Sequence, residues 1–243
     1  MNVLRNEFAK LRHLHLVAVA ASMTAGIVAL TVVGTMTGNA AGHASAQSLA
    51  ALSLAGLSLA FPLVSPLMIA VVASRTIDIE HHGNGWLLSR ATGVALGELL
   101  RAKVISTGLV VTTATVVAVS LGALLGGTNP LWTWLGYAGA IVVVNLVVLA
   151  LHLVISTLVV NQLISLGIGV LGTVVAICAS GFPSWLAHLT PWGYYALASA
   201  ADYRGDHVMT LSPSYISVAG LAVVGVVLFL LVTARLDRQE VLA

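Results

Sequence analysis

An all-α membrane protein with six transmembrane helices and both termini in the cytoplasm is the architecture that three observations on this 243-residue chain support. Apolar residues make up 59% of the chain and charged residues 7%, a balance far from the roughly 25% charged residues of soluble domains. Six long windows, 14–35, 49–73, 104–125, 131–160, 163–180 and 215–234, contain no Asp, Glu, Lys or Arg. Each is long enough for the roughly 20 residues that cross a hydrocarbon core. Nine of the ten Lys and Arg residues fall in alternate connections: Arg5, Lys10 and Arg12 before the first window, Arg75, Arg90, Arg101 and Lys103 between the second and third, and Arg235 and Arg238 after the sixth. Basic residues concentrate on the cytoplasmic side of a membrane protein, which sets the orientation; Arg204 alone lies opposite.

Residues 1–13 place Leu4, Phe8 and Leu11 on one helical stripe, with Arg5, Glu7, Lys10 and Arg12 around the rest, the pattern of a helix lying in the membrane interface. The first span follows at 14–35. The small-residue run Ala44, Ser45, Ala46 behind it resembles a signal-peptide cleavage site, but the apolar stretch exceeds an h-region and is expected to be retained. Residues 37–48 read as a short outer loop. In the second span, 49–73, Pro62 and Pro66 each remove a backbone donor, so a kink or break is expected near its middle, with protein or water beside it.

Residues 74–103 form the sizeable cytoplasmic connection. They hold three of the eight acidic and four of the ten basic residues, the adjacent His81 and His82, and Trp86. A connection needing only to join two helices is usually far shorter. A short helix around Ile77 to His82, with Asp78, Ile79, Glu80 and His81 within it and ended by Gly83 and Gly85, is expected to present itself to a soluble partner, followed by an amphipathic segment from Leu87 to Lys103. The third span is 104–125. On the fourth, 131–160, Asn145, His152 and Ser156 share one stripe of a Val/Leu surface, a stripe that avoids lipid by bonding a neighbouring helix or by lining a substrate path. On the fifth, 163–180, Ser165, Gly169 and Thr173 recur at four-residue steps, which lets helix backbones approach closely.

Nine of the ten Trp and Tyr residues lie toward the outer side, as in an interfacial aromatic belt. Residues 181–214 are expected to form a re-entrant or surface-lying outer hairpin, with Thr190 capping a short helix that starts at Pro191. The sixth span is 215–234.

Several function classes find no support in these residues. A net charge of +2 scattered over loop ends offers no nucleic-acid surface. The single Cys178 excludes an internal disulfide and reads as a packing residue. His152 has no second ligand in any window, and His81 and His82 point apart on a helix, so no metal site is expected. A rhomboid-like intramembrane protease would share the six-span layout, but Cys178-Ala179-Ser180-Gly181 lacks the first Gly of the nucleophile motif and the sixth window has no His, so no catalytic residue is assigned. The absence of Asp, Glu, Lys and Arg inside the windows argues against an ion-coupled carrier and favours an amphiphilic or apolar cargo.

The order of a second span, Arg75-Thr76-Ile77-Asp78-Ile79-Glu80, Trp86 after a Gly/Asn turn, an amphipathic stretch and Lys103 opening the third span resembles permease subunits of ABC-2 type transporters, most of all those of bacitracin and lantibiotic self-protection exporters. The likeness spans nearly the whole chain and implies one transmembrane domain over 1–243, in which 74–103 carries a coupling helix. It further implies that Ile77, Asp78, Ile79, Glu80, His81 and Trp86 meet a separate cytoplasmic ATPase present in two copies, beside a second permease chain, identical or homologous. ATP and Mg would be bound by that partner, because this chain has no G-x-x-x-x-G-K-[ST] loop to cradle phosphates. The implied address is the bacterial inner membrane, and the cargo class a peptide antibiotic, a lipid or a lipophilic drug. A non-transporting membrane sensor or assembly subunit shares the same layout.

Overall fold

The computed structural model describes residues 3–40, 46–83, 85–127, 130–204 and 207–241. Ala44, Ser45 and Asn84, singled out above, lie outside the described residues. Six helices are long and apolar enough to cross a membrane, making this a multi-pass membrane protein.

Helix α1 (Val3–His13) turns Glu7 and Leu11 inward and Arg5 and Arg12 outward. It is separated from α2 (Leu16–Ala40) by His15, whose φ of 51° is left-handed, a conformation uncommon outside Gly. Leu16, next in line, is fully buried and pins α2 directly after the bend.

Helix α3 (Ala46–His82) is the longest, 37 residues with Pro62 and Pro66 inside it. Neither a break at its middle nor a separate short helix at its end occurs here. The helix continues through both prolines without interruption, and residues 77–82 are its final turns, not a separate short helix. The reason is packing: 67% of the residues in its apolar window are buried, against 17% in the last span, and α3 touches α2 and three further long helices. Surrounding helices hold a proline-containing helix where isolation in lipid would let it break.

A short helix α4 (Gly85–Ala91) follows, then α5 (Leu96–Gly126), which starts eight residues before the uncharged window because Leu99, Leu100 and Ala102 continue a buried face. Helices α6 (Leu131–Leu158) and α7 (Gln162–Cys178) match their windows closely. The last span, α10 (Tyr215–Val241), comes after a compact connecting region.

That region holds a 3-10 turn at Ala179–Gly181, α8 (Ser184–Ala187), a second 3-10 turn at Pro191–Gly193 and α9 (Tyr194–Leu197). Thr190 caps it as its sequence suggests, its hydroxyl accepting from the Gly193 amide at 3.3 Å. Beyond these limbs the chain adds an antiparallel pair that was not expected, β1 (Ala201–Arg204) and β2 (His207–Thr210), with Ala201 opposite Thr210. Backbone bonds from the Leu211 amide to the Ala200 carbonyl and from the Ser214 amide to the Leu197 carbonyl, both 2.8 Å, tie this pair to α9.

The small-residue stripe of α7 packs within the chain. Ser165 and Gly169 are buried and Thr173 half-buried, and a Cβ on Gly169 would run into the Ala70 Cβ of α3. Gly169→Val is therefore expected to push α7 off α3 and to destabilise the protein by about 1–3 kcal/mol, the usual cost of overpacking; a detergent-unfolding midpoint equal to wild type would remove this contact from the account.

Candidate functional site

Four charged side chains meet where α1, the tail of α3 and the start of α5 converge. The Lys103 ammonium is fully buried, and Glu7 and Glu80 are 1% and 2% exposed. Lys103 Nζ donates to Glu7 Oε2 at 2.8 Å, to Glu80 Oε1 at 2.8 Å and to the Thr76 carbonyl at 3.1 Å, so all three of its protons are engaged. Lys10 Nζ donates to Glu7 Oε1 at 2.7 Å and Glu80 Oε1 at 2.6 Å. Two cations and two anions therefore close into a neutral knot, the arrangement that makes buried charge tolerable.

Lys10 sits at its rim, 32% exposed. Half-burial pulls its pKa down, but hydrogen bonds and the charges of Glu7 and Glu80 outweigh that and hold it above the ordinary lysine value. A raised lysine pKa means that its contribution is fully present below the unfolded value and fades only as alkaline pH passes through the folded one. Gly85 is needed beside the knot, because a Cβ there would overlap the Glu80 carboxylate.

One turn further, His81 links α4 to the bundle. The Trp86 indole N–H donates to His81 Nδ1 at 3.2 Å, leaving Nε2 to donate to the Ser156 carbonyl at 3.0 Å. That pairing identifies the neutral tautomer with the proton on Nε2. The two rings meet edge to face at 5.5 Å. Ser156 Oγ is 2.8 Å from Ser165 Oγ of α7, so the connection runs from the loop through α6 to α7. Helix α4 ends in a Schellman arrangement: Gly93 takes φ 74° and the Val94 amide donates to the Ser89 carbonyl at 2.9 Å, which only a residue at ease in the left-handed region permits without strain. Behind it, Asp237 of α10 accepts from the Gly97 amide at 2.7 Å and pairs with Arg101 at 3.3 Å, satisfying a donor at the start of α5.

The six residues expected to meet a partner divide by burial. Ile77 and Glu80 are in the core, where their side chains bind the helix to its own protein. Asp78, Ile79, His81 and Trp86 are partly exposed, with Asp78 paired to His82 at 3.1 Å. The residues that project are Leu87 and Leu88 of α4, 71% and 64% exposed. Periodicity had placed them only at the head of an amphipathic segment; the seven-residue helix that turns them outward depends on Trp86 being anchored inward.

The polar stripe of α6 is wholly buried. Asn145 accepts from the Tyr195 hydroxyl at 2.6 Å and donates to Thr115 Oγ1 at 2.8 Å, binding α5, α6 and α9 together. His152 stacks edge to face on Trp192 at 6.0 Å, and neither of its ring nitrogens has a hydrogen-bond partner among the described residues. No group of three or more His, Cys, Asp or Glu residues suited to a metal occurs among the described residues.

A family profile described as ABC-2 family transporter protein matches residues 3–176, from the start of α1 into the last turn of α7, which includes Glu7, Lys10, Glu80, Lys103 and α4. No curated protein matches the chain.

Lys103→Met leaves two buried carboxylates with one rim cation and is expected to cost about 3–5 kcal/mol. Adding Glu80→Gln should return part of that loss, a coupling readable in a double-mutant cycle of unfolding midpoints; additive effects would show that the knot does not act as a unit.

Proposed function

The chain belongs to the ABC-2 family of transporter proteins, and we propose that it is the membrane-spanning permease subunit of an ATP-driven exporter for an amphiphilic cargo. The observation that carries the reading is the pair Leu87 and Leu88, exposed on a short helix that is fastened from behind. On a cytoplasmic connection, two adjacent leucines on a rigid mount would face water and are unfavourable there unless a partner covers them. The positive-inside distribution of Lys and Arg assigns this end to the cytoplasm, where a separate ATPase subunit binds ATP and Mg.

In this reading α4 and the exposed edge of α3 around Asp78 and Ile79 form the contact with the ATPase, while Glu80, His81 and Trp86 position it. Two permease chains, identical or homologous, work with two ATPase subunits in a bacterial cytoplasmic membrane. ATP-driven closure of the ATPase pair displaces each α4. The displacement passes along α3 through the Glu7–Lys10–Glu80–Lys103 knot and along α6 and α7 through His81 and Ser156, favouring one arrangement of the bundle over the other. The absence of Asp, Glu, Lys and Arg from the uncharged windows suits a cargo with a large apolar part, such as a peptide antibiotic, a lipid or a lipophilic drug.

Replacing both leucines, Leu87→Asp with Leu88→Asp, is expected to weaken ATPase binding about thirty-fold, the size of one interface hot spot, with membrane insertion intact. Co-purification and cargo-stimulated ATP hydrolysis of the complex in nanodiscs measure this, and wild-type values for both would overturn the assignment of α4.

A further inference from the structure

Helices α2 and α5 flank a groove of about 680 Å³ that lies open on the side of the bundle. Ala20, Ala21, Thr24 and Ala25 form its narrow α2 side, and bulkier residues such as Leu109 and Val117 its α5 side. The two threonines on its wall spend their hydroxyl protons on their own helices. Thr24 Oγ1 donates to the Ala20 carbonyl at 2.7 Å and Thr113 Oγ1 to the Leu109 carbonyl at 2.8 Å. Every other lining residue is Ala, Val or Leu, so no side chain offers a donor to an occupant, which suits a hydrocarbon chain. On α2 the groove runs from Val17 to Ala29, twelve residues or roughly 18 Å of helix. That is close to half of a hydrocarbon core roughly 30 Å thick, so the groove has the depth of one leaflet.

Its mouth, at Val17, lies on the cytoplasmic side and is cationic. Arg12 and His13 at the end of α1 and His15 at the bend, all exposed, fall within five residues of Val17, and Arg5 shares the outward face of α1. Neither arginine pairs with a carboxylate among the described residues. The knot explains why. Glu7, the one acidic residue of α1, and Glu80 are turned inward to Lys103 and Lys10, which leaves the outward face of α1 with positive charge and nothing to neutralise it.

We propose that this groove and its rim bind one anionic phospholipid of the inner leaflet, with an acyl chain between α2 and α5 and the phosphate at Arg12. Arginine matches phosphate bidentately, and the neutral rings of His13 and His15 each add one N–H. A zwitterionic lipid has the same chains but brings its own cation to the rim. A second copy of this chain, docked here by two-fold symmetry, would set two cationic rims against each other in one leaflet. The inference is independent of the permease reading, since it uses only the packing of α1, α2 and α5 and the orientation in the membrane.

The test is native mass spectrometry of the full-length protein released from detergent and titrated with dioleoylphosphatidylglycerol, with dioleoylphosphatidylcholine as control. One phosphatidylglycerol per chain is expected to bind about twenty-fold tighter than phosphatidylcholine, the effect of two arginines at a membrane surface, and Arg12→Gln should remove about five-fold of that. Arg238→Gln, which changes an exposed arginine on α10, should leave the affinity unchanged. Ala25→Trp fills the groove with the rim intact and should weaken phosphatidylglycerol at least about ten-fold, the worth of about two buried methylenes. Arg12 is exposed, so its variant tests the site independently of how the bundle takes the tryptophan. Equal affinity for the two lipids, equal effects of Arg12→Gln and Arg238→Gln, or wild-type phosphatidylglycerol binding in Ala25→Trp each overturns the proposal. The same spectra count subunits: a dimer lost in Ala25→Trp with the lipid retained makes the groove a contact between chains instead.

Discussion

The three protons of Lys103 organise the end of the molecule on which its work depends. A fully buried ammonium is tolerated only where acceptors surround it, and here they come from two elements, Glu7 of α1 and Glu80 and the Thr76 carbonyl of α3, which Lys103 joins to α5. The interaction is short and fully desolvated, so no element can shift without leaving charge uncovered. Such knots contribute more to geometry than to net stability, because desolvation offsets much of the attraction. What this one secures is a fixed relation between an interfacial helix and two membrane spans.

That relation turns α3 into a lever. Glu80 near one end and Pro62 near the middle lie 18 residues apart on a single unbroken helix, roughly 27 Å along its axis. The same helix therefore carries the mount for α4 and the buried middle of the bundle. A second route, from Trp86 through His81 to Ser156 and Ser165, reaches α6 and α7. Leu87 and Leu88 are thus joined to α3, α6 and α7 by hydrogen bonds and packed backbone.

Much of the fold was legible because lipid imposes a simple rule: every span must be long, uncharged and helical. The windows at 131–160 and 163–180 correspond to α6 and α7 almost residue for residue. Thr190 and Pro191 announced their turn by local chemistry that needs no tertiary partner. The β1 and β2 pair was missed because four-residue strands offer too little alternation to separate them from a helical limb, and their anchoring comes from Ala200 and Leu197. The site was legible as a region, since an elaborate charged connection at 74–103 draws notice by length and composition alone.

Spacing places Glu80 near Lys103 in sequence, but nothing in the chain says that Glu7 and Lys10, about seventy residues or more away, complete the same cluster. Composition and periodicity determined the membrane class, the six spans, the charge bias and the connection to look at, because those follow from the solvent around each segment. Only the folded molecule decided that Ile77 and Glu80 face inward while Leu87 and Leu88 face out, and that the small residues of α7 meet α3. Burial of a side chain at a helix end is set by which other elements arrive there, and that is a property of long-range packing and not of any local pattern.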